Sequence, residues 1–406
     1  MEEKKEQLFG ISCDRESHIY HVGEYAAFTI TSVRPGTEAE AVFTADGEAE
    51  LGRFTVTTPC TLKQGLPFPG VLRCEVTAPD FEPALAGVAF DPGDIRPALP
   101  EPEDFRAFWA DALAQQEKIP ADFQMTELPE LAEPHHTFFE LSCATVNGGT
   151  CYGFLRLPKA TEPVPMMVYF EGAGAGESRE TFLQHCATVD AHLPGPNVQL
   201  LIFTHNYRPG KTHAEHMKLH EAYVKSLGVS AYWAEGLDRG KEYTFFYRAI
   251  LGSVRMIKLV SALPAVNRER ISYLGGSQGG GFGFFLTALC PEINAAFCGV
   301  PAFCDCGGFL LGRHTPTSRA PYFREYYQIM RYFDPANFAP MITVPVFASC
   351  GFIDVTCTPS SVYAAYNRLG GSRMIFNKIL DGHGGAPEEY APLSWFWTGC
   401  HMGLFK

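Results

Sequence analysis

The chain of 406 residues carries a formal net charge of -13 and is 46% hydrophobic, so it can bury a large core and is long enough for two domains. Its acidic balance and scattered basic residues argue against a nucleic-acid partner, which would need a clustered basic surface. No run of about twenty apolar residues is present to suggest a membrane span, and the first residues lack the apolar core of a signal peptide. We therefore expect a cytoplasmic protein, unless a leader has been removed and the protein is periplasmic or secreted.

The cysteines point to the same kind of compartment. There are thirteen, an odd number, and most lie inside apolar runs such as "LTALCPEI" and "VFASCGF". Such positions suit small core residues under reducing conditions better than a disulfide framework. Cys304 and Cys306 form a close pair, but no second Cys or His pair follows at zinc-site spacing, so we predict no metal there.

The first 93 residues differ from the rest in composition. Runs rich in Val, Thr, Phe and Tyr alternate with turn signals such as "RPGT", "ADGE" and "PFPG". These runs predict a small β-sandwich, immunoglobulin-like in architecture, over residues 1–93. The proline-rich, acidic segment "DPGDIRPALPEPEDF" marks the boundary, and a second domain is predicted over residues 94–406.

The sequence of the second domain predicts an α/β protein. It opens with Phe105, Phe108, Trp109 and Leu113 at helical spacing. A long apolar helix, "YTFFYRAILGSVRMIKLVSALP", is expected to end at Pro264. Alternating strands and helices predict a mostly parallel sheet covered on both faces. The candidate strands are Thr137 to Cys143, Thr150 to Arg156, Pro165 to Phe170, Val198 to Thr204, Arg270 to Leu274, Val344 to Cys350 and Met374 to Leu380.

One of these strands runs into a serine flanked by glycines, "ISYLGGSQGGGFGFF". Residues 275–279 fit G-x-S-x-G after an apolar strand and before an apolar helix, the context of a nucleophile elbow at Ser277. The alternatives are an incidental serine in a glycine-rich turn or a phosphate-binding loop. Neither G-x-x-x-x-G-K-[ST] nor a G-x-G-x-x-G with a suitably spaced acid is present, which favours the nucleophile.

A nucleophilic serine needs a base that is oriented by an acid. Asp354 follows the apolar run "PVFASCGF", and His383 follows the next one, so both are predicted at carboxyl ends of strands in the order Ser, Asp, His. Asp381 is a rival acid, but it is too close in sequence to His383 to approach the ring easily from behind. Asp354 is therefore the predicted acid.

Ester or amide cleavage also needs donors for the developing oxyanion. The backbone N–H of Gln278, directly after the serine, is one candidate. The other is the N–H of Ala173, within the loop "EGAGAGES" that follows the strand "PMMVYF". An ordinary turn is the alternative reading of that loop.

At these residues the sequence resembles the acetyl xylan esterase and cephalosporin C deacetylase family of α/β-hydrolases. The resemblance rests on "GGSQGGGFGFFLTALCPEINAAFCGVPAFCD" (elbow, helix and next strand), on the segment from "PVFASCGFIDVTCTP" to "DGHGG", and on "EPEDFRAFWADALAQQEKIP". It covers about residues 96 to 406 and implies an α/β-hydrolase fold. The implied activity is that of a serine esterase that removes acetyl groups from sugar hydroxyls, with Ser277, Asp354 and His383 as triad and without a cofactor or metal.

The sequence departs from the family pattern near the site. Glu171-Gly172 stands where the family usually has His-Gly, and Arg208-Pro209-Gly210 only loosely matches its Arg-Gly-Gln motif. Glu171 and Arg208 are therefore our candidate substrate-binding residues. Gly384 replaces the usual Glu after the histidine. These changes leave the reaction class intact but put the natural ester and the oligomer contacts in doubt.

Three further histidines, His213, His216 and His220, share one face of a predicted helix. This spacing would allow a metal site, but a solvated or substrate-facing helix face is the favoured interpretation. If the segment leans over the serine, its His and Tyr side chains could instead recognise sugar hydroxyls.

The expected partner is a small-molecule or oligosaccharide acetyl ester, with a homo-oligomer as a further candidate. Two rival functions stay open at the level of sequence. One is a serine peptidase of the prolyl-oligopeptidase type, which shares the fold and triad order. The other is a catalytically weak carbohydrate-binding protein on a hydrolase fold.

Overall fold

The computed structural model describes residues 7–174, 178–315 and 320–405. Within them the chain forms three sheets, two small ones in the N-terminal region and a large one in the remainder. In these ranges we find no helix with the length and apolar character needed to cross a bilayer.

The N-terminal region consists of a three-stranded sheet in the order β1-β3-β6 and a five-stranded sheet in the order β2-β8-β7-β4-β5. One apolar core joins them, and across it the rings of Phe28 and Phe43 lie 5.1 Å apart. The predicted two-sheet β-structure is therefore present, whereas its immunoglobulin-like topology stays a prediction. The strands are β1 Phe9–Cys13, β2 Ile19–Tyr20, β3 Ala26–Ser32, β4 Glu38–Ala45, β5 Ala49–Thr57, β6 Cys60–Gln64, β7 Gly70–Thr77 and β8 Ala84–Phe90.

The large sheet has nine strands in the order β17-β16-β15-β14-β12-β13-β11-β10-β9. The pairs from β17 to β13 are parallel, and those from β13 to β9 are antiparallel. Its strands are β9 Gln124–Glu127, β10 His136–Ala144, β11 Thr150–Pro158, β12 Val164–Phe170, β13 Val198–Ile202, β14 Val266–Gly276, β15 Ala295–Gly299, β16 Val346–Gly351 and β17 Arg373–Lys378.

The seven candidate strands of the sequence analysis correspond to β10 to β14, β16 and β17. Every residue of β13, β15 and β16 is buried, as expected for strands covered by helices on both faces. Two strands of the large sheet have no counterpart among the candidates. β9 is a short edge strand with mostly exposed side chains, so it carries no hydrophobic pattern. β15 was indicated only by the family resemblance.

Helices cover the large sheet on both sides. Several begin at a side-chain cap: Thr244 accepts from the N–H of Tyr247 at 3.1 Å and starts the long apolar helix that the sequence predicted. That helix ends at Ser261, three residues before Pro264. The helices are α1 Phe105–Glu117, α2 Arg179–His192, α3 His213–Leu227, α4 Phe245–Ser261, α5 Gln278–Leu289, α6 Pro321–Glu325, α7 Tyr327–Met330, α8 Pro335–Phe338, α9 Pro359–Tyr366 and α10 Tyr390–His401.

The two regions meet in a small apolar cluster of their own. Val71 of β7 and Ala89 of β8 pack with Phe352, just after β16, and with Val362 of α9. The N-terminal sheet thus lies against the segment that follows β16. The boundary between residues 93 and 94 stays a prediction.

The cysteines are distributed as the sequence suggested. None of the thirteen forms a disulfide, and ten of them are buried. They fill core positions as small apolar side chains.

A buried histidine should make stability depend on pH. His185 of α2 stacks on Tyr169 with ring centroids 3.6 Å apart, and its Nε2 has no hydrogen-bond partner among the described residues. Burial lowers the pKa of His185 to about 3. Below the unfolded-state pKa of about 6.5 the unfolded chain therefore takes up a proton that the folded protein does not, and folding stability is lost as the pH falls.

We predict that His185→Phe, which keeps a stacked ring, removes this loss. The difference in unfolding free energy between variant and wild type should shift in favour of the variant by about 1.4 kcal/mol for each pH unit below about 6. Denaturant unfolding at pH 8, 6, 5 and 4.5 measures it, and the pH 8 value isolates the packing change. A difference that is independent of pH would contradict the prediction.

Candidate active site

The strand β14 ends at Gly276 and the helix α5 begins at Gln278, so Ser277 occupies the turn between them. Its backbone has φ 56° and ψ -119°, a strained conformation for a residue with a Cβ. The turn can be this tight because Gly279 has no side chain: a Cβ there would lie 2.3 Å from the carbonyl oxygen of Phe170. Ser277 therefore lies at a tight turn between a strand and a helix, which is the geometry expected of a nucleophile elbow.

The structure brings the three predicted triad residues together. The Ser277 hydroxyl lies 3.0 Å from Nε2 of His383, and Nδ1 of the same ring lies 2.8 Å from Oδ2 of Asp354. Since a carboxylate only accepts, Nδ1–H donates to it and leaves Nε2 free to accept the serine proton. This is the geometry that a serine nucleophile, a general base and an orienting acid require.

The acid lies in a loop that follows β16 and is completely buried. Its second oxygen, Oδ1, accepts from the N–H groups of Thr356 at 2.7 Å and Cys357 at 3.0 Å. The rival acid, Asp381, contributes its main-chain oxygen to the same loop by accepting from the N–H of Ile353 at 3.4 Å. The carboxylate that faces the imidazole is therefore that of Asp354.

The histidine loop is held by a residue that sequence reasoning missed. Lys378, the last residue of β17, is buried, and its Nζ donates to the carbonyl oxygens of Gly385 at 2.7 Å and Gly382 at 3.4 Å. Burial lowers the pKa of Lys378, and the nearby carboxylate of Asp354 acts in the opposite direction. The sequence signal that could have indicated this role is a lysine at the end of a strand, five residues before the histidine.

The two predicted oxyanion donors lie beside the serine. Ala173 and Gln278 line the same cavity as Ser277, and Gln278 is the first residue of the twelve-residue helix α5. The helix start places unpaired N–H groups at this point. Residues 175–177 of the predicted loop "EGAGAGES" lie outside the described residues.

A hydrogen-bonded network ties these two segments together. The Tyr232 hydroxyl donates to Oε1 of Gln278 at 2.8 Å and accepts from the N–H of Gly174 at 3.2 Å. Nε1 of Trp233 donates to the same Oε1 at 2.7 Å. Tyr232 thereby fixes the loop carrying Ala173 relative to the start of α5, and sequence reasoning gave no residue for this role.

Replacing Tyr232 with phenylalanine should lower kcat about tenfold, because the amide of Gly174 loses an acceptor and the loop carrying Ala173 loses an anchor. Steady-state kinetics on an aryl acetate measure it. Tyr223→Phe is the matched control, since that hydroxyl donates to Glu235 at 2.8 Å and accepts from Arg248 at 3.1 Å. Equal kinetics for the two variants would contradict the prediction.

The serine opens into a cavity of about 580 Å³, within the size range of small-molecule sites. Aromatic side chains form much of its wall, among them Trp233, Phe303 and Tyr322, with small residues such as Ala302 between them. Such a wall offers apolar faces to an acyl methyl group or to the faces of sugar rings. The side chain of His383 is 32% exposed, so a substrate can reach it.

The two candidate substrate-binding residues have different surroundings. Arg208 pairs with Glu140 of β10 through distances of 2.6 and 3.1 Å and lines a different cavity from that of Ser277. Glu171 follows β12 and is half-buried, and burial raises its pKa against the effect of hydrogen bonds from Tyr169 and Gly172. Neither residue is among the described residues that line the serine cavity.

Two of the three histidines of helix α3 make side-chain hydrogen bonds within the protein. His216 is buried, and the Tyr207 hydroxyl lies 3.3 Å from its Nε2 and 3.2 Å from Nδ1 of His220. Burial lowers the pKa of His216 to about 4. Over the described part of the chain, no group of three or more His, Cys, Asp or Glu side chains is arranged to hold a metal ion.

The sequence model of the acetyl xylan esterase family (AXE1) matches residues 93–383, which is most of the chain. The chain belongs to the acetyl xylan esterase family. The resemblance seen in the sequence is thus confirmed, and with it membership in a family of carboxylic ester hydrolases. The family match spans the elbow serine, the acid and the histidine, and it begins at the predicted domain boundary.

Three proteins named as acetyl or acetyl xylan esterases are similar to this chain over most of their own length. The acetyl esterase Axe7A of Xylanibacter ruminicola is 24% identical over 367 residues, which cover 89% of this chain and 79% of that protein. Acetyl xylan esterase 1 from Thermoanaerobacterium sp. JW/SL YS485 superposes with a TM-score of 0.63 at 20% identity, over 78% of this chain and 98% of the other. The acetyl xylan esterase from Paenibacillus sp. R4 gives 0.61 at 21% identity, over 75% and 97%.

These structural similarities establish the fold of the acetyl xylan esterase region. It is an α/β-hydrolase fold with a mostly parallel nine-stranded sheet, as predicted from the sequence. The N-terminal β-sheets lie ahead of the region that the family model matches.

Proposed function

We propose that this family member is a serine esterase that removes short acyl groups, chiefly acetyl, from acetylated sugars or xylo-oligosaccharides through an acyl-enzyme. The observation that carries the proposal is the chain of contacts from Ser277 through His383 to Asp354, at 3.0 and 2.8 Å. Family membership supports acetyl as the acyl group. The aromatic wall of the cavity supports a sugar as the alcohol.

The first half of the reaction forms the acyl-enzyme. Nε2 of His383 takes the hydroxyl proton of Ser277 as Oγ attacks the ester carbonyl carbon. The N–H groups of Gln278 and Ala173 stabilise the oxyanion of the tetrahedral intermediate. When the intermediate collapses, the C–O bond to the sugar breaks, and the imidazolium returns the proton to the departing sugar oxygen.

The second half releases the acid. Water takes the place of the sugar, and His383 removes a proton from it as the oxygen attacks the acyl carbon. Collapse of the second tetrahedral intermediate breaks the bond to Ser277 Oγ, which regains its proton from the imidazolium. Asp354 keeps the ring in the tautomer with the proton on Nδ1 and stabilises the imidazolium in both halves.

The wider proposal includes two domains, an immunoglobulin-like sandwich over residues 1–93 and a catalytic domain over 94–406. The free and mostly buried cysteines support a reducing compartment such as the cytoplasm.

The test compares p-nitrophenyl acetate with the butyrate and octanoate esters, followed by acetate release from acetylated xylo-oligosaccharides. We expect kcat/KM for acetate to exceed that for octanoate by at least about tenfold. A fluorophosphonate probe should label Ser277, located by peptide mass analysis. Turnover of peptide amides in preference to esters would favour the peptidase, and an unlabelled serine without turnover would favour the carbohydrate-binding protein.

A further inference from the structure

The loop that carries Asp354 is held from outside by the N-terminal β-sheets. Arg73 of β7 reaches across the junction, and its Nη2 donates to the main-chain oxygen of Asp354 at 2.7 Å. The two residues are 281 positions apart in the chain, and the arginine side chain is only 4% exposed. A charged donor on a buried carbonyl is one of the stronger hydrogen bonds available.

A second charged residue of the same region holds the far end of the loop. Asp46, in the turn between β4 and β5, is buried and lies 3.6 Å from Nη2 of Arg73. Its Oδ2 accepts from the N–H of Ser360 at 3.3 Å, in the first turn of α9. Burial raises the pKa of the Asp46 carboxyl to about 7, and the nearby Arg73 acts in the opposite direction. The pair therefore holds the loop both at the acid and six residues later.

The backbone of the N-terminal sheet approaches the same loop closely. At Gly87 of β8 an added Cβ would lie 2.3 Å from the carbonyl oxygen of Phe352, two residues before the acid. Beside it, Val71 and Ala89 pack on Phe352 and Val362, and Glu48 pairs with His314 at 3.2 Å and with Arg324 at 3.0 Å. The loop is therefore held by β8 and Arg73 on the side that faces the N-terminal region.

The position of Arg73 and Asp46 indicates that this contact does more than join the two regions. Burying an arginine and an aspartate costs desolvation, and apolar residues of similar size often give equal or better stability. Here Arg73 and Asp46 are buried where the junction meets the acid loop, whereas the ion pairs of Glu48 with His314 and Arg324 are partly exposed. The geometry of Arg73 and Asp46 fixes the direction of a backbone segment, which apolar packing does less well.

We propose that Arg73 is a positioning residue for Asp354, so that the N-terminal β-region is part of the catalytic apparatus. By holding the main-chain oxygen of Asp354, Arg73 keeps Oδ2 directed at His383. The inference rests on the proposed esterase function, because it assigns a role to Arg73 through the acid of that triad.

The experiment compares Arg73→Met with Asn367→Leu in the full-length protein, using p-nitrophenyl acetate. Asn367 donates to the main-chain oxygens of Pro92 and Ile95 at 2.8 and 3.0 Å, so its replacement disturbs the same junction away from the acid. We expect Arg73→Met to lower kcat about tenfold with KM within about twofold. Asn367→Leu should retain the wild-type kcat, and Arg73→Lys should recover part of the loss.

A double-mutant cycle separates positioning from general damage. If Arg73 acts through the acid carboxylate, Arg73→Met should change kcat by less than about twofold in an Asp354→Asn background. The variant Asp46→Asn/Arg73→Met removes both buried charges together. Because it does not leave a buried carboxylate unpaired, this double variant replaces Arg73→Met in the experiment if the single variant does not fold. It should show the same loss of kcat.

Three results would overturn the inference. The first is a wild-type kcat in folded Arg73→Met or in the double-charge variant. The second is an equal loss in Asn367→Leu, and the third is an undiminished effect of Arg73→Met when Asp354 is already asparagine. An inactive wild-type protein would overturn the esterase proposal as well, whereas an active wild type with an indifferent Arg73 would overturn the positioning role alone.

Discussion

Replacing Ser277 with alanine should lower kcat/KM for p-nitrophenyl acetate by roughly 10⁴- to 10⁶-fold. The hydroxyl is the group that would form the acyl-enzyme, and alanine cannot replace it with another nucleophile. The remaining activity would come from the oxyanion donors and from substrate binding. Since alanine retains the Cβ in the strained turn, the fold of the elbow should survive.

Ser272→Ala provides the matched control. That serine is buried on the same strand, and its hydroxyl has no hydrogen-bond partner among the described residues. Steady-state kinetics and fluorophosphonate labelling should therefore be unchanged in it and lost in Ser277→Ala. Turnover at the wild-type rate in Ser277→Ala would refute the acyl-enzyme mechanism and bring the binding-protein alternative forward.

Replacing Asp354 with asparagine should lower kcat by about 10⁴-fold, because the amide would enforce the wrong tautomer. The N–H groups of Thr356 and Cys357 donate to Oδ1, so the asparagine oxygen would stay on that side. Its NH₂ group would then face Nδ1 of His383, which must become an acceptor. The ring proton moves to Nε2, which can no longer accept the proton of Ser277.

Asp381→Asn tests the rival acid under the same conditions. Its side chain is not the one that faces the imidazole, so kcat should stay within a few-fold of wild type. Thermal unfolding of both variants checks that any loss is chemical. A large loss in Asp381→Asn together with a small one in Asp354→Asn would reverse the assignment of the acid.

The N-terminal β-region has a counterpart in one of the relatives. The family model begins at residue 93, yet the match to the acetyl esterase of Xylanibacter ruminicola covers more of this chain than residues 93–406 could supply. That relative therefore shares sequence within the N-terminal region as well. The contact of Arg73 with the acid loop gives a physical reason to keep the two regions together.

The sequence by itself determined the elements whose constraints are local. The elbow at Ser277 was predictable because a strand, a strained turn and a helix must follow one another within a few residues, and only glycines allow that turn. The buried strands β12, β13 and β16 were predictable because burial on both faces requires unbroken apolar runs. The resemblance to the family added the strand after α5, whose small residues carry little propensity of their own.

Only the tertiary structure decided how the loops at the strand ends face one another. It brought Oδ2 of Asp354 within hydrogen-bond distance of His383 and paired Arg208 with Glu140. It also allowed the Tyr232 hydroxyl to donate to Gln278. It also brought Arg73 of the N-terminal sheet to the carbonyl of Asp354. These contacts join residues far apart in the chain, and a buried polar group takes whichever partner the packing of whole elements brings within hydrogen-bond distance.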